Sequence, residues 1–173
     1  MPEWFERSSP DAITAKPWLH EQTTAYLESL LCKDMRVLEH GAGGSSLWFA
    51  ERVKEVVSIE DDPDWLGVLA QRKPDNLTLI LEKEGKIPPV AAPFDLILID
   101  GDPVVNRAVY LTHANELVKP GGWVVVDNYN RPEYAKEMKE LMAQGVDGKD
   151  FNFNTKSSKY FCTYFMRLPC AKE

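Results

Sequence analysis

Apolar residues in this chain fall into short runs of strand length, separated by segments in which the apolar positions have helical spacing. The strand-like runs are residues 37–38, 56–59, 76–81, 94–99 and 123–126. The run at 94–99 is apolar enough to be covered on both faces, as parallel strands usually are. Strands that alternate with helices in this way predict an α/β sheet with helices on both sides.

The intervening segments carry helix-start signals. After Lys16, a proline suits a first helical turn, and apolar residues from Leu19 to Leu31 then recur with helical spacing. Aspartate and serine are favoured caps at the later helix starts. The predicted helices begin at Pro17, Ser45 or Ser46, Pro63, Val105 and Pro132. The fourth of them is expected to bury a face made of Val105, Ala108, Val109, Leu111, Thr112 and Val118.

Near the end of the chain, the spacing of apolar residues changes to an alternation of apolar and polar positions. Phe151 and Phe153 alternate with asparagines, a polar turn follows at 156–158, and residues 160–166 are again strand-like. Two such runs joined by a short polar turn predict an antiparallel β-hairpin, since a crossover helix would not fit between them.

Composition narrows the class of protein. The 173 residues suit one domain, 1–173, with 1–34 as a leading helical segment. A net charge of −7 and the absence of a basic stripe argue against a nucleic-acid surface, and the apolar runs are too short for a membrane span. Three cysteines without C-x-x-C spacing and an N-terminus without a signal-peptide core predict a cytoplasmic protein.

The segment 35–44 is the strongest candidate binding element. It reads as a short strand that ends in Glu39, followed by a turn with Gly41 and Gly43. A dinucleotide fingerprint needs glycine where Ser46 stands, and a carboxylate two residues before the first glycine would repel a pyrophosphate. A cationic nucleoside such as S-adenosylmethionine suits an acid followed by a turn of small residues.

Four elements together resemble the class I S-adenosylmethionine-dependent methyltransferase family. They are Val37-Leu38-Glu39-x-Gly41-x-Gly43, the acid Glu60, Phe94-Asp95-x-Ile97-x-Ile99-Asp100 and Lys119-Pro120-Gly121-Gly122. The resemblance runs from about residue 20 to the C-terminus. It implies a Rossmann-like, doubly wound, seven-stranded sheet that is mostly parallel, with the last strand of a C-terminal antiparallel hairpin inserted beside the fifth.

The resemblance also implies a cofactor site. Glu39 and the glycine turn should hold the methionine part of S-adenosylmethionine, and Glu60 should accept hydrogen bonds from both ribose hydroxyls, with Asp61 as its near substitute. A buried or half-exposed imidazole is expected for His40. The predicted cofactor-binding residues are Glu39, Gly41, Ala42, Gly43, Ser46, Glu60, Asp61 and Asp100.

A second group, Asp100, Asp127 and Asn128, follows strands four and five and supplies the predicted catalytic residues. The pattern is similar to that of metal-dependent catechol-type O-methyltransferases, in which such residues hold a divalent ion. That family usually has a lysine base where this chain has Pro103. A divalent metal is therefore the less favoured alternative, and the pair after strand five is expected to line the acceptor pocket.

The leading hypothesis is an S-adenosylmethionine-dependent methyltransferase that acts on oxygen or nitrogen of a small-molecule acceptor, without nucleic-acid or membrane partners. Two alternatives stay open. One is an NAD-binding Rossmann oxidoreductase, and the other is a non-catalytic S-adenosylmethionine-binding module or partner subunit. The sequence leaves the acceptor, the general base and the oligomeric state undecided.

Overall fold

A computed structural model describes residues 13–153 and 161–170. Its centre is a seven-stranded sheet of order β3-β2-β1-β4-β5-β7-β6. The strands are β1 Arg36–His40, β2 Glu55–Glu60, β3 Leu77–Leu81, β4 Phe94–Ile99, β5 Val118–Asp127, β6 Asp147–Asn152 and β7 Cys162–Arg167. The predicted Rossmann-like fold class is confirmed: β1 to β5 pair in parallel, and β7 pairs antiparallel with both β5 and β6.

Helices cover both faces of this sheet. They are α1 Glu21–Leu30, α2 Gly44–Ala50, α3 Pro63–Ala70, α4 Arg107–Thr112, α5 Ala114–Leu117 and α6 Ala135–Met142. Successive residues of a strand point to opposite faces. Val37 and Leu96 therefore pack in one buried cluster with residues of α1, α2 and α3, while Leu38 and Ile97 pack in the other with residues of α4, α5 and α6.

Two predicted helices differ from the structure. The leading helix begins at Glu21 rather than Pro17, because the side chain of His20 accepts a hydrogen bond from the backbone of Gln22 and caps the helix there. The segment 105–118 is not one helix but a 3₁₀ turn followed by α4 and α5. Its buried face also differs, since Val105 is exposed whereas Arg107 and Tyr110 are buried.

The C-terminal hairpin is present, and its first strand begins at Asp147, earlier than the aromatic alternation indicated. Its predicted turn at 156–158 lies outside the described residues. The register places Asp127 opposite Thr163. The carboxyl ends of β1, β2, β4 and β5 thus meet on one edge of the sheet, where open α/β folds bind ligands. No helix within the described ranges is long and apolar enough to cross a membrane.

Candidate functional site

The glycine turn lies at the carboxyl end of β1 and packs against the end of β4. Gly41 has φ of 100°, and a Cβ added there would lie 2.5 Å from the Cα of Gly101. Only glycine combines a positive φ with such a close backbone approach. The predicted tight turn at Gly41 is therefore a property of the fold, whether or not a ligand binds.

Gly43 differs from Gly41, because its backbone conformation does not require glycine. Its φ of −179° is extended backbone that any residue adopts. A Cβ at Gly43 would meet only the Trp65 ring, at 3.9 Å. The indole of Trp65 donates to the carbonyl of Ala42 at 2.7 Å and holds the turn beside this open space. Gly43 thus leaves room that the polypeptide itself does not fill.

All three N–H groups of the turn already have acceptors in the protein. Gly41 donates to the carbonyl of Ile59 at 2.8 Å, Ala42 to Glu60 Oε2 at 3.0 Å, and Gly43 to Ser46 Oγ at 2.9 Å. A pyrophosphate needs such amides as donors. The turn therefore offers a ligand open space beside the half-buried carboxylate of Glu60, and its three amides are not available to a phosphate.

Glu39 is fully buried, and it supports the turn through Ser46, whose hydroxyl bonds to both Glu39 and the amide of Gly43. Its Oε2 accepts hydrogen bonds from the hydroxyls of Ser46 at 2.5 Å and Ser58 at 2.7 Å. Burial raises the pKa of Glu39 to about 7, although nearby serine hydroxyls oppose that rise. Within the part of the chain that the structure describes, its Oε1 is a buried atom without a hydrogen-bond partner.

Glu60 ends β2 next to the turn and is half-buried. Besides the Ala42 amide on Oε2, its Oε1 accepts from the backbone N–H groups of Asp61 at 3.2 Å and Asp62 at 3.1 Å. Burial, with a smaller contribution from Asp61, raises its pKa to about 7. A carboxylate has about four acceptor sites, so these three bonds leave about one free. Accepting both ribose hydroxyls would require Glu60 to release a backbone amide.

The structure brings the predicted catalytic residues together at the ends of β4 and β5. The carboxyl groups of Asp100 and Asp127 are hydrogen-bonded to each other, and Thr163 donates to Asp127 Oδ1 at 2.7 Å. Burial raises the pKa of both carboxyls, and the charge of Asp100 raises that of Asp127 further. Both carboxyls therefore resist ionisation, and Asp127 does so more strongly than Asp100.

Asn128 follows with φ of 51°, a left-handed conformation that asparagine tolerates better than most residues. Its backbone carbonyl accepts from the hydroxyl of Tyr134 at 2.7 Å, and its side-chain oxygen accepts from Arg131 at 3.2 Å. Beside it, Tyr129 donates to Asp150 on β6 at 2.8 Å. These bonds fix the end of β5 against the C-terminal hairpin and α6.

Sequence reasoning missed Arg107, whose side chain is 3% exposed. Its guanidinium donates to the backbone oxygens of Gly101 at 2.9 Å, Asp127 at 2.6 Å and Asp100 at 2.5 Å, and to Asp100 Oδ1 at 3.2 Å. A signal was available: Arg107 shares helical spacing with Tyr110, Leu111 and Ala114, so a charge stands in a core-facing stripe.

His40 is packed, as expected. Its ring stacks on Tyr110 with centroids 4.1 Å apart, and burial together with the charge of Arg107 lowers its pKa to about 3. A neutral imidazole held in this way fills the space beneath Gly101, where an added Cβ would lie 2.8 Å from the ring.

The donor set fits a metal poorly. Among the described residues, no cluster of three or more His, Cys, Asp or Glu side chains could hold a metal ion. The guanidinium of Arg107 also lies directly beside Asp100. This guanidinium thus pairs with one of the carboxylates that the resemblance to metal-dependent O-methyltransferases would assign to a divalent ion.

Comparison with known proteins gives structural neighbours only. No family model matches the chain, and no curated protein matches it in sequence. The N-methyltransferase NodS from Bradyrhizobium japonicum WM9 superposes with a TM-score of 0.65 at 15% identity, covering 86% of this chain and 95% of that one. An rRNA methylase from Streptococcus thermophilus gives a TM-score of 0.65 at 13% identity, covering 87% and 95%.

A methyltransferase from Streptococcus mutans in complex with S-adenosylhomocysteine gives a TM-score of 0.63 at 15% identity, covering 86% of this chain and 97% of that one. One of these neighbours is named as an rRNA methylase and another as an N-methyltransferase, and all three share one architecture with this chain. Together with the strand order, they show that the chain has the fold of the class I S-adenosylmethionine-dependent methyltransferases.

Proposed function

We propose that this chain binds S-adenosylmethionine at the glycine turn and transfers its methyl group to a small-molecule acceptor. The observation that carries the proposal is the hydrogen bonding, charge and open space of the glycine turn. Its three amides bond to the protein, the half-buried carboxylate of Glu60 borders the turn, and the space beside Gly43 is open. Such a crevice attracts a positively charged nucleoside and disfavours an anionic one.

The residues present fit this cofactor. A side chain at Gly43 would extend into the open space beside the turn, and the half-buried carboxylate of Glu60 accepts a hydrogen bond from Ala42 in the same turn. Glu60 would bind the ribose, and Glu39 would act on the methionine part through Ser46. When bound, the sulfonium supplies an activated methyl group, so the protein mainly positions the acceptor and excludes water.

The pair Asp100–Asp127 is the proposed acceptor side of the site. This pair would hold the hydroxyl or amine of the acceptor at the edge of the sheet, and one of its carboxyl groups would take the proton that the acceptor loses on methylation. Asn128 and Tyr129 border the same edge of the sheet. We propose oxygen or nitrogen methylation of a small molecule, since the net charge of −7 disfavours binding to nucleic acid.

An NAD-binding function receives no support from the turn. Ser46, which stands where the dinucleotide fingerprint has glycine, is buried and bonded to both Gly43 and Glu39. We propose the cytoplasm as the site of the reaction, since three cysteines without C-x-x-C spacing suit a reducing compartment.

Calorimetric titration with S-adenosylmethionine, S-adenosylhomocysteine and NAD⁺ tests the cofactor. We expect saturable binding of the first two and none of NAD⁺. Gly43→Val should abolish that binding, while Gly67→Val serves as a matched control. Gly67 lies on α3 in equally open space, since a Cβ there would meet nothing within 4 Å. Equal affinity in both variants, or binding of NAD⁺ alone, would sink the proposal.

A turnover screen with isotopically labelled methyl donor tests the reaction. Phenols, amines, carboxylates and a structured RNA should be offered separately. Transfer to a small molecule supports the proposal, whereas transfer to RNA alone contradicts the acceptor class. Cofactor binding without transfer to any acceptor would favour the non-catalytic module.

A further inference from the structure

The end of β4, the end of β5 and the start of α4 meet around one buried cation, the guanidinium of Arg107. It bonds to three backbone oxygens, of Asp100, Gly101 and Asp127, and to the Asp100 carboxylate. The guanidinium fork thereby joins both strand ends. The geometry needs several donors in one plane, which lysine does not offer.

Charge balance gives this side chain a second consequence. Carbonyl oxygens solvate a guanidinium but do not neutralise it, so the charge of a buried Arg107 must be balanced by a carboxylate. Asp100 is that partner, with Arg107 Nη2 3.2 Å from Asp100 Oδ1. Asp127, hydrogen-bonded to Asp100, also lies within the field of the same guanidinium.

We infer that Arg107 is a positioning residue that supplies from within the chain the positive charge that a divalent ion would otherwise supply at the Asp100–Asp127 pair. The inference rests on the proposed function for its catalytic meaning, because the pair is the proposed acceptor side. It places the acceptor against a carboxyl pair held by a guanidinium, with no ion to chelate adjacent hydroxyls.

Among the described residues, Arg107 is the cation that bonds to a carboxyl of the pair, whereas the guanidinium of Arg131 bonds to the side-chain oxygen of Asn128. Asp102 on the loop after β4 adds negative charge, Tyr134 near α6 is a neutral phenol, and His40 on β1 is a neutral imidazole. Thr163 on β7 contributes only a hydroxyl. Arg107 is therefore the group whose removal would leave the two carboxyls without a balancing charge.

Titration with Mn²⁺, followed by the loss of its free-ion electron paramagnetic resonance signal, tests the inference without needing the acceptor. The unaltered chain should show no saturable Mn²⁺ site at the Asp100–Asp127 pair. A site at this pair would be recognised by its loss in Asp127→Asn. Arg107→Gln should bind Mn²⁺ at least about tenfold more tightly, because a positive charge next to the carboxyls is gone. Arg107→Lys keeps the charge and should behave like the unaltered chain.

Equal Mn²⁺ affinity in Arg107→Gln and the unaltered chain would overturn the inference, as would equal gains in the glutamine and lysine variants. An Asp127-dependent Mn²⁺ site in the unaltered chain would overturn it as well. If Arg107→Gln does not fold, NMR of the unaltered chain decides. The Nη protons of Arg107 should give separate, slowly exchanging signals. A single averaged signal would contradict the hydrogen bonds that hold the guanidinium between the ends of β4 and β5.

Failure of this inference and failure of the proposed function are distinguishable. Titration of the unaltered chain with S-adenosylmethionine reports on the glycine turn, which contains none of these residues. A chain that binds no S-adenosylmethionine contradicts the proposed function, while the Mn²⁺ comparison still reports on Arg107.

Discussion

Glu39→Gln should make the protein more stable above neutral pH. Glu39 is fully buried, and its pKa is raised from 4.5 to about 7 by burial. Glutamine keeps an oxygen at the position of Oε2, where Ser46 and Ser58 donate. Its amide nitrogen takes the position of Oε1, which has no hydrogen-bond partner in the described part of the chain. The substitution therefore removes the charge with little change in shape.

The magnitude and sign follow from linkage. A pKa that is about 7 in the folded state and 4.5 in the unfolded state corresponds to about 3 kcal/mol. Because the folded-state pKa is the higher one, this contribution to stability is full below pH 4.5 and is lost as pH rises through 7. Glu39→Gln cannot lose it, so the variant should match the unaltered chain at pH 4.5 and exceed it by up to about 3 kcal/mol at pH 8.5.

Urea unfolding at both pH values measures the difference. Glu55→Gln is a control of opposite sign, because Arg36 at 2.7 Å lowers the pKa of Glu55. That variant should lose stability at pH 8.5 and change little at low pH. If the unaltered chain and Glu39→Gln lost stability in parallel between pH 4.5 and 8.5, Glu39 would not be a buried acid that resists ionisation.

Three further results are expected. Gly41→Ala should cost roughly 1–3 kcal/mol of stability, because the φ of 100° and the 2.5 Å approach to Gly101 exclude a side chain at this position. Gly43→Ala should leave the stability unchanged. Equal losses of stability for the two variants in denaturant unfolding would contradict the different roles of the two glycines. Glu60→Gln should weaken S-adenosylmethionine binding by about 1.5–3 kcal/mol in calorimetry, and unchanged affinity in the folded variant would remove Glu60 from the site. Methyl transfer should proceed equally with EDTA or with Mg²⁺ in a labelled-donor assay, since Arg107 supplies the charge beside Asp100, and a chelator-sensitive rate would count against that role.

Strand runs, their order and the antiparallel hairpin could be predicted from the sequence, because alternation of strands and helices restricts how such a chain can pack. The positions of Glu60, Asp100 and Asp127 at strand ends followed from the same pattern, whereas Glu39, which was expected to end its strand, is fully buried and β1 continues to His40. Hydrophobic runs end where the chain leaves the covered sheet, so the residue that follows lies on its edge.

Other features depend on partners distant in sequence. Glu39 bonds to Ser58 and thereby supports the turn from a buried position, and Asp127 bonds to Thr163 across the hairpin. Neither bond has a local sequence signature, since each requires the sheet register to be known. For that reason the sequence could not predict that Glu39 is buried and supports the turn.

The sequence by itself thus determined the fold class, the glycine turn and the acids at the strand ends, because hydrophobic period and turn chemistry are local properties. Only the tertiary structure decided that Gly41 serves the backbone while Gly43 leaves open space, and that Arg107 lies buried beside Asp100. Burial and charge balance are set by residues brought together from separate elements. They become visible only when β1, β4, β5 and α4 are packed against one another.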